Sequence, residues 1–103
     1  MTVAHLRTYT IKPGKLDSWL KFLIEEGQPI MEECGMKIEG VWVNREQNQC
    51  IWIRSYGDTV ETVEECEEAF ANHSWRKAAG DFLRAHVEHR EMVLIESVDG
   101  GKP

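Results

Sequence analysis

Between Leu6 and Phe22 the chain changes its periodicity once, at Pro13-Gly14, and that change constrains everything downstream. Before it, His5, Arg7, Tyr9 and Ile11 fall on one side of an extended chain and Ala4, Leu6, Thr8 and Thr10 on the other, because strand side chains alternate with period two. After it, Leu16, Trp19, Leu20, Leu23 and Ile24 recur at helical spacing. Proline removes a ladder donor and glycine accepts the turn, so Lys12-Pro13-Gly14-Lys15 closes a strand over about residues 3 to 11 and opens a helix that runs to about Glu26. A strand that turns arginine and tyrosine to the same side as an isoleucine must find partners for those polar groups, since a buried polar group without a hydrogen bond is costly.

The remaining elements follow from the same signals. Gly27-Gln28-Pro29 interrupts the first helix and predicts a kink, after which Ile30, Met31 and Cys34 resume an apolar period that Gly35 ends. Residues 36 to 45 read as a second strand, with Ile38, Gly40 and Trp42 on one side and Val41 and Val43 on the other. A polar hairpin loop, Asn44 to Gln49, leads into a third strand from about Cys50 to Tyr56. That strand sends Ile51 and Ile53 to an aliphatic side and Cys50, Trp52, Arg54 and Tyr56 to a mixed one. Thr59 predicts an N-cap for a second helix with a Val60, Val63 and Phe70 stripe, ending near Ala71. Asn72-His73-Ser74 caps a third helix carrying Trp75, Ala78, Ala79, Phe82 and Leu83, weakened at Gly80. The last strand lies between His86 and Val98, where Met92, Val93, Leu94 and Ile95 read as a run buried on both faces.

This order predicts an α+β fold, the ferredoxin-like βαββααβ plan with a four-stranded antiparallel sheet and its helices on one face. Residues 1–98 form one domain and 99–103 a flexible tail. Helices cover only one face of such a sheet, yet the strands carry apolar or aromatic residues on both, so a second copy packing sheet against sheet is expected. Composition narrows the function classes. A formal net charge of −6 with no basic cluster argues against nucleic acid. The densest charge block, Glu61 with Glu64, Glu65, Glu67 and Glu68, reads as a solvated helix face. The apolar runs are shorter than the roughly 20 residues a bilayer span needs, so no membrane span is expected. The cysteines Cys34, Cys50 and Cys66 are odd in number and far apart, which predicts reduced, buried thiols and a cytoplasmic setting. His5, His73, His86 and His89 lack a zinc signature, and no metal or cofactor is expected.

The run Leu6-Arg7-Thr8-Tyr9-Thr10-Ile11-Lys12-Pro13-Gly14, followed by a helix with a tryptophan, resembles the opening of the NIPSNAP domain, a member of the dimeric α/β barrel superfamily. Gly40-Val41-Trp42, Asn48-Gln49 through Tyr56, and Asn72 to Trp75 are similar to its later strands and its turn into the third helix, so the likeness spans about residues 5 to 84. Trp52 and Arg54 stand where the family more often has histidine and then tryptophan, and Asn72-His73 replaces Asp-Pro. The resemblance implies a ferredoxin-like subunit that pairs through its sheets, in a superfamily with cofactor-free monooxygenases, haem-degrading enzymes and small dehydratases among its members.

The sharpest constellation lies on strands one and three, read as parallel central neighbours. Arg7 and Arg54 would hold the anionic group of a small acidic or aromatic metabolite, Trp52 would form a flat wall, and Gly40 on the same side would leave room. Tyr9 and Tyr56 would donate hydrogen bonds or protons, and His73, on a loop before Trp75, would carry the proton of a cofactor-independent oxygenase or related enzyme. Against this stands a structural role in which the arginines pair with Glu39, Glu91 or Glu96. The alternative function is a non-catalytic protein-interaction or scaffold module that uses the acidic run.

Overall fold

The computed structural model describes residues 1–101. Strand β1 (Val3–Ile11) enters the turn at Lys12-Pro13-Gly14, where Gly14 takes a φ of 75° that a side chain would resist. Helix α1 (Leu16–Phe22) follows, then a π-helical turn (Leu23–Gly27) and α2 (Gln28–Glu33). The expected interruption at Gly27-Gln28-Pro29 is therefore a widened turn inside continuous helical backbone, with Gly27 and Gln28 both at helical dihedrals. Pro29 follows directly on the π-helical turn, whose widened backbone accommodates a residue without an N–H. Gly35, at φ 91°, ends the helix as predicted.

Strands β2 (Lys37–Asn44) and β3 (Gln49–Gly57) form a hairpin. Asn48, at φ 56°, ties its loop to β1: its backbone carbonyl accepts from Ile11 N at 2.9 Å and its amide Nδ2 donates to the Ile11 carbonyl. Helix α3 (Val60–Asn72) starts at Thr59, whose hydroxyl accepts from Thr62 N at 3.3 Å. The predicted third helix splits at Ala79 into α4 (Ser74–Ala78) and α5 (Gly80–His86), the weakness that Gly80 introduces. Strand β4 (Val87–Glu96) completes a four-stranded sheet in the order β2-β3-β1-β4.

All neighbouring strands are antiparallel, so β1 and β3 are central neighbours but not parallel. The reason is topological: β1 and β2 are joined by a helical crossover and run the same way, and β3, a hairpin return from β2, is inserted between them. A second difference arises in β2. A register shift between Ile38 and Gly40 lets Ile38 face Arg54 and Val41 face Trp52, whereas Gly40 pairs with Ile53 and Trp42 with Ile51. Gly40 thus lies on the face away from Arg7, beneath the Trp42 indole. Ile38 is separated from Gly40 and Trp42, which share the open face.

The helices cover β1, β3 and part of β2 from one side. Ile11, Leu16, Trp19, Leu23, Met31, Met36, Cys50, Trp52, Tyr56, Val63 and Cys66 are buried between the layers. On the open face Leu6, Thr8, Ile51 and Ile53 remain half-buried, while Trp42 and Val93 are 55% exposed. The β4 run expected to be buried on both faces is not. Met92, Val93 and Leu94 are each about half exposed in the single chain, because β4 is an edge strand and the helices stop short of it. Cys50 and Cys66 are buried free thiols, whereas Cys34 is only partly covered. Of the expected tail, residues 98 to 101 close a turn in which Gly101 N donates to the Val98 carbonyl at 2.9 Å, and residues 102–103 lie outside the described residues.

Candidate functional site

The register of β1 against β3 assembles the site. His5 faces Arg54, Arg7 faces Trp52 and Tyr9 faces Cys50, all on the helix-covered side. Arg7 is 6% exposed and Arg54 4%. Both sit at the floor of a cavity of about 440 Å³, within the range of small-molecule sites. The π-helical turn, α3 and α4 roof it. Gly27 in that turn packs beside the Trp75 ring, where a Cβ would stand at an ordinary contact distance of 3.5 Å from the indole.

The two arginines differ in their partners. Arg54 Nε donates to the Tyr56 hydroxyl at 2.8 Å, its Nη1 reaches the Met31 sulfur at 3.5 Å, and its Nη2 stands 3.5 Å from Glu67 Oε1. Tyr56 in turn donates to Glu67 at 3.1 Å, and His5 Nδ1 lies 2.6 Å from the Tyr56 oxygen and 3.1 Å from Glu67. With Tyr56 donating to Glu67 and accepting from Arg54, His5 completes the network by donating from Nδ1. Burial pushes the Tyr56 phenol up to about 12, against the pull of Arg54. Burial also lowers the pKa of His5; Glu67 opposes the shift, and Arg7 and Arg54 reinforce it. The Arg54 guanidinium is likewise lowered, first by burial and then by Arg7.

Arg7 has no such acid. Its Nη2 donates to the Tyr9 hydroxyl at 2.9 Å, its Nη1 stands 3.5 Å from His5 Nδ1, and its guanidinium lies 5.6 Å and 5.7 Å from the centres of the Tyr9 and Trp52 rings. Among the described residues no carboxylate comes within 4 Å of it. Arg7 Nε and Trp52 Nε1 are buried without a hydrogen-bond partner. Trp19 Nε1 is likewise without a partner; a buried cation with no acid and three orphaned donors are costly in a closed core, and all belong to residues lining this cavity. Of the acids considered as structural partners, Glu39 instead holds Ser55 at 2.9 Å and lies 3.8 Å from Lys37.

Arg7, Tyr9, Trp52 and Arg54 therefore line one cavity together. Tyr56 lies behind Arg54, and the described cavity wall does not include it. His73 lies outside the wall too: it caps α4, its Nδ1 accepting from Trp75 N at 3.1 Å while Nε2 stands 3.5 Å from Glu33. Sequence reasoning missed Glu67, treating it as part of a solvated face. Yet Val63, Cys66 and Phe70 mark the inward stripe of α3, and Glu67 is adjacent to it at helical spacing. It also missed the basic side chains Arg76, Lys77 and Arg90. Arg90 shares strand parity with Met92, which pairs with Arg7, and Arg76 directly follows the roof residue Trp75.

One antiparallel sheet with a single helical layer and a cavity between them defines a ferredoxin-like α+β subunit. The NIPSNAP family model matches residues 4–97, and the chain belongs to the NIPSNAP family. An uncharacterized NIPSNAP domain protein from Burkholderia xenovorans superposes with a TM-score of 0.86 at 22% identity, covering 98% of this chain and 99% of that one. A NIPSNAP family protein from Agrobacterium tumefaciens gives 0.85 at 23% identity over 96% and 95% of the two chains. A putative antibiotic biosynthesis monooxygenase from Nitrosomonas europaea gives 0.70 at 10% identity over 94% and 90%, a likeness of fold alone. No curated protein matches the chain.

Proposed function

We propose that this NIPSNAP protein binds a small metabolite with an anionic or enolate-like oxygen head and a flat apolar body. The observation that carries the reading is Arg7, a buried guanidinium with no carboxylate within 4 Å among the described residues, beside the unpartnered Trp52 indole N–H. Arg7 and the Trp52 N–H hold the head, Tyr9 donates or accepts at its side, and Arg54 fixes the electrostatic environment through Glu67 and Tyr56. Phe22 and Trp75, stacked at 5.0 Å, supply the wall for the apolar body.

Donors aimed at one oxygen also stabilise charge that develops there, so the enzymatic form of this reading is a cofactor-independent oxygenase or related enolate chemistry. His73 would enter that chemistry only if its α4 cap opened. The same reading includes a homodimer through the open sheet face, which buries Leu6, Trp42, Ile51, Ile53 and Val93. The free thiols support a cytoplasmic setting.

Titration with benzoate, followed by calorimetry and by thermal shift, tests the site. A ligand that binds only the folded protein raises its melting temperature saturably. Benzoate is expected to do so for the natural chain and not for Arg7→Met. Equal binding by both, or no binding by the natural chain at millimolar benzoate, overturns the reading.

A further inference from the structure

We infer that the ligand of this cavity carries two anionic groups, one at each end of its flat body, an inference that rests on the binding reading above. The charge distribution is the first reason. Six of the chain's 12 basic side chains line the Arg7 cavity and the adjoining one, namely Arg7, Arg54, Arg76, Lys77, Arg84 and Arg90. Only Glu67 and Glu88, of 18 acidic side chains, join them there. In a chain of net charge −6 this gathers positive potential in one cleft, where low-dielectric walls focus it.

The second reason is which of these cations are free. Arg54 is paired with Glu67 and Arg84 with Asp81, whereas Arg7, Arg76, Lys77 and Arg90 have no carboxylate within 4 Å among the described residues. They fall into two groups. Arg7 is buried at the cavity floor; Arg76, Lys77 and Arg90 stand toward solvent at the mouth. A ligand with a single anionic group satisfies the floor and leaves the mouth uncompensated.

The third reason is spacing. Arg7 pairs with Met92 and Tyr9 with Arg90, so Arg7 and Arg90 are diagonal neighbours on one face of β1 and β4. Such neighbours have backbones about 7 to 8 Å apart, and the length of the arginine side chain lets the two guanidiniums reach opposite ends of one flat ring. Tyr9, Arg76, Leu83 and Arg90 border both cavities, which are about 440 Å³ and 480 Å³. The outer group therefore sits at a junction that leaves room for a longer substituent beyond it.

Calorimetric titration with benzoate and with terephthalate at matched ionic strength tests this. Terephthalate is expected to bind about tenfold more tightly than benzoate, or about 1.4 kcal/mol. The gain is modest because partners at the exposed mouth are screened. Arg76→Gln/Arg90→Gln should remove most of that advantage, weakening terephthalate several-fold more than benzoate. Lys21→Gln/Arg45→Gln, which alters net charge equally at two residues outside both walls, one of them 3.8 Å from Asp17, should leave both affinities as they were. Benzoate binding with no gain for terephthalate overturns the two-group inference, as does equal weakening of both ligands in the double variant. Failure of benzoate itself, or indifference to Arg7→Met, overturns the binding reading instead.

Discussion

The two faces of this sheet carry aromatic and aliphatic side chains in similar measure, yet they are put to different uses. On the helix-covered face, Trp52 is 2% exposed, packed against Tyr9 at 4.4 Å and Trp19 at 6.1 Å between ring centres. On the open face, Trp42 is 55% exposed and rests on the backbone of Gly40. The covered face buries two arginines, which an ordinary core avoids, whereas the open face is free of charge near its centre, at Leu6, Gly40, Trp42, Ile51, Ile53 and Val93. The charged interior surrounds a cavity of about 440 Å³. The open face, apolar at Leu6, Trp42, Ile51, Ile53 and Val93 with Glu91 toward its β4 edge, is suited to a large flat surface.

The strongest way to break this contrast is to truncate one tryptophan from each face. Trp52→Ala should lower unfolding stability by about 3 to 5 kcal/mol in chemical denaturation, the cost of removing a large buried ring. Trp42→Ala should barely change the stability of the isolated chain. It should instead weaken self-association by about 2 kcal/mol or more, as expected of an aromatic anchor near an interface centre. Sedimentation equilibrium reads this directly. A natural chain that stays monomeric at tens of micromolar would remove the dimer from the picture and leave the open face unexplained.

Within the covered face the contrast is between the two arginines. Arg54→Met removes a guanidinium held by Tyr56 and Glu67, and should cost about 1 to 3 kcal/mol. The loss stays within that range because Glu67 is 44% exposed and rehydrates. Arg7→Met replaces a charge that has no acid, by a side chain of similar length, and should change stability by less than about 1 kcal/mol or raise it. It should nevertheless abolish benzoate binding. If the two variants are equally destabilised, Arg7 is structural and the functional distinction between the arginines fails.

Much of the frame was legible because periodicity is a local property. The Lys12-Pro13-Gly14 turn, the Gly35 stop and the Thr59 cap each follow from one or two side chains, and so does the shared face of Arg7 and Tyr9. Features set by tertiary packing were not. The register shift after Ile38 moved Gly40 to the other face, and nothing in the alternation of β2 announces it. The apolar run Met92-Val93-Leu94 looks like a central strand, yet it lies at the sheet edge and about half exposed, because composition does not report a strand's place in the sheet order. Glu67 was hidden in an acidic run whose other members, Glu61, Glu64, Glu65 and Glu68, do face solvent. Only the position of Arg54 across the layer turns one glutamate of five inward.

The smallest effect expected comes from His5, and it separates the network behind Arg54 from the cavity in front of it. Burial, with Arg7 and Arg54 nearby, holds the His5 pKa below its ordinary 6.5 in spite of Glu67, so the fold favours the neutral ring. Between the lowered value and 6.5 the unfolded chain binds more protons than the folded one, so stability rises with pH through that window. Above about 6.5 the contribution vanishes, and below the folded value the full penalty applies. His5→Gln keeps a donor beside Tyr56 and Glu67 but cannot titrate, and should flatten the stability profile just below about pH 6.5 relative to the natural chain. Denaturation midpoints collected across that range measure the difference. A profile that His5→Gln leaves unchanged would mean that the ring is hydrated in solution, and would detach it from the network of Tyr56, Glu67 and Arg54.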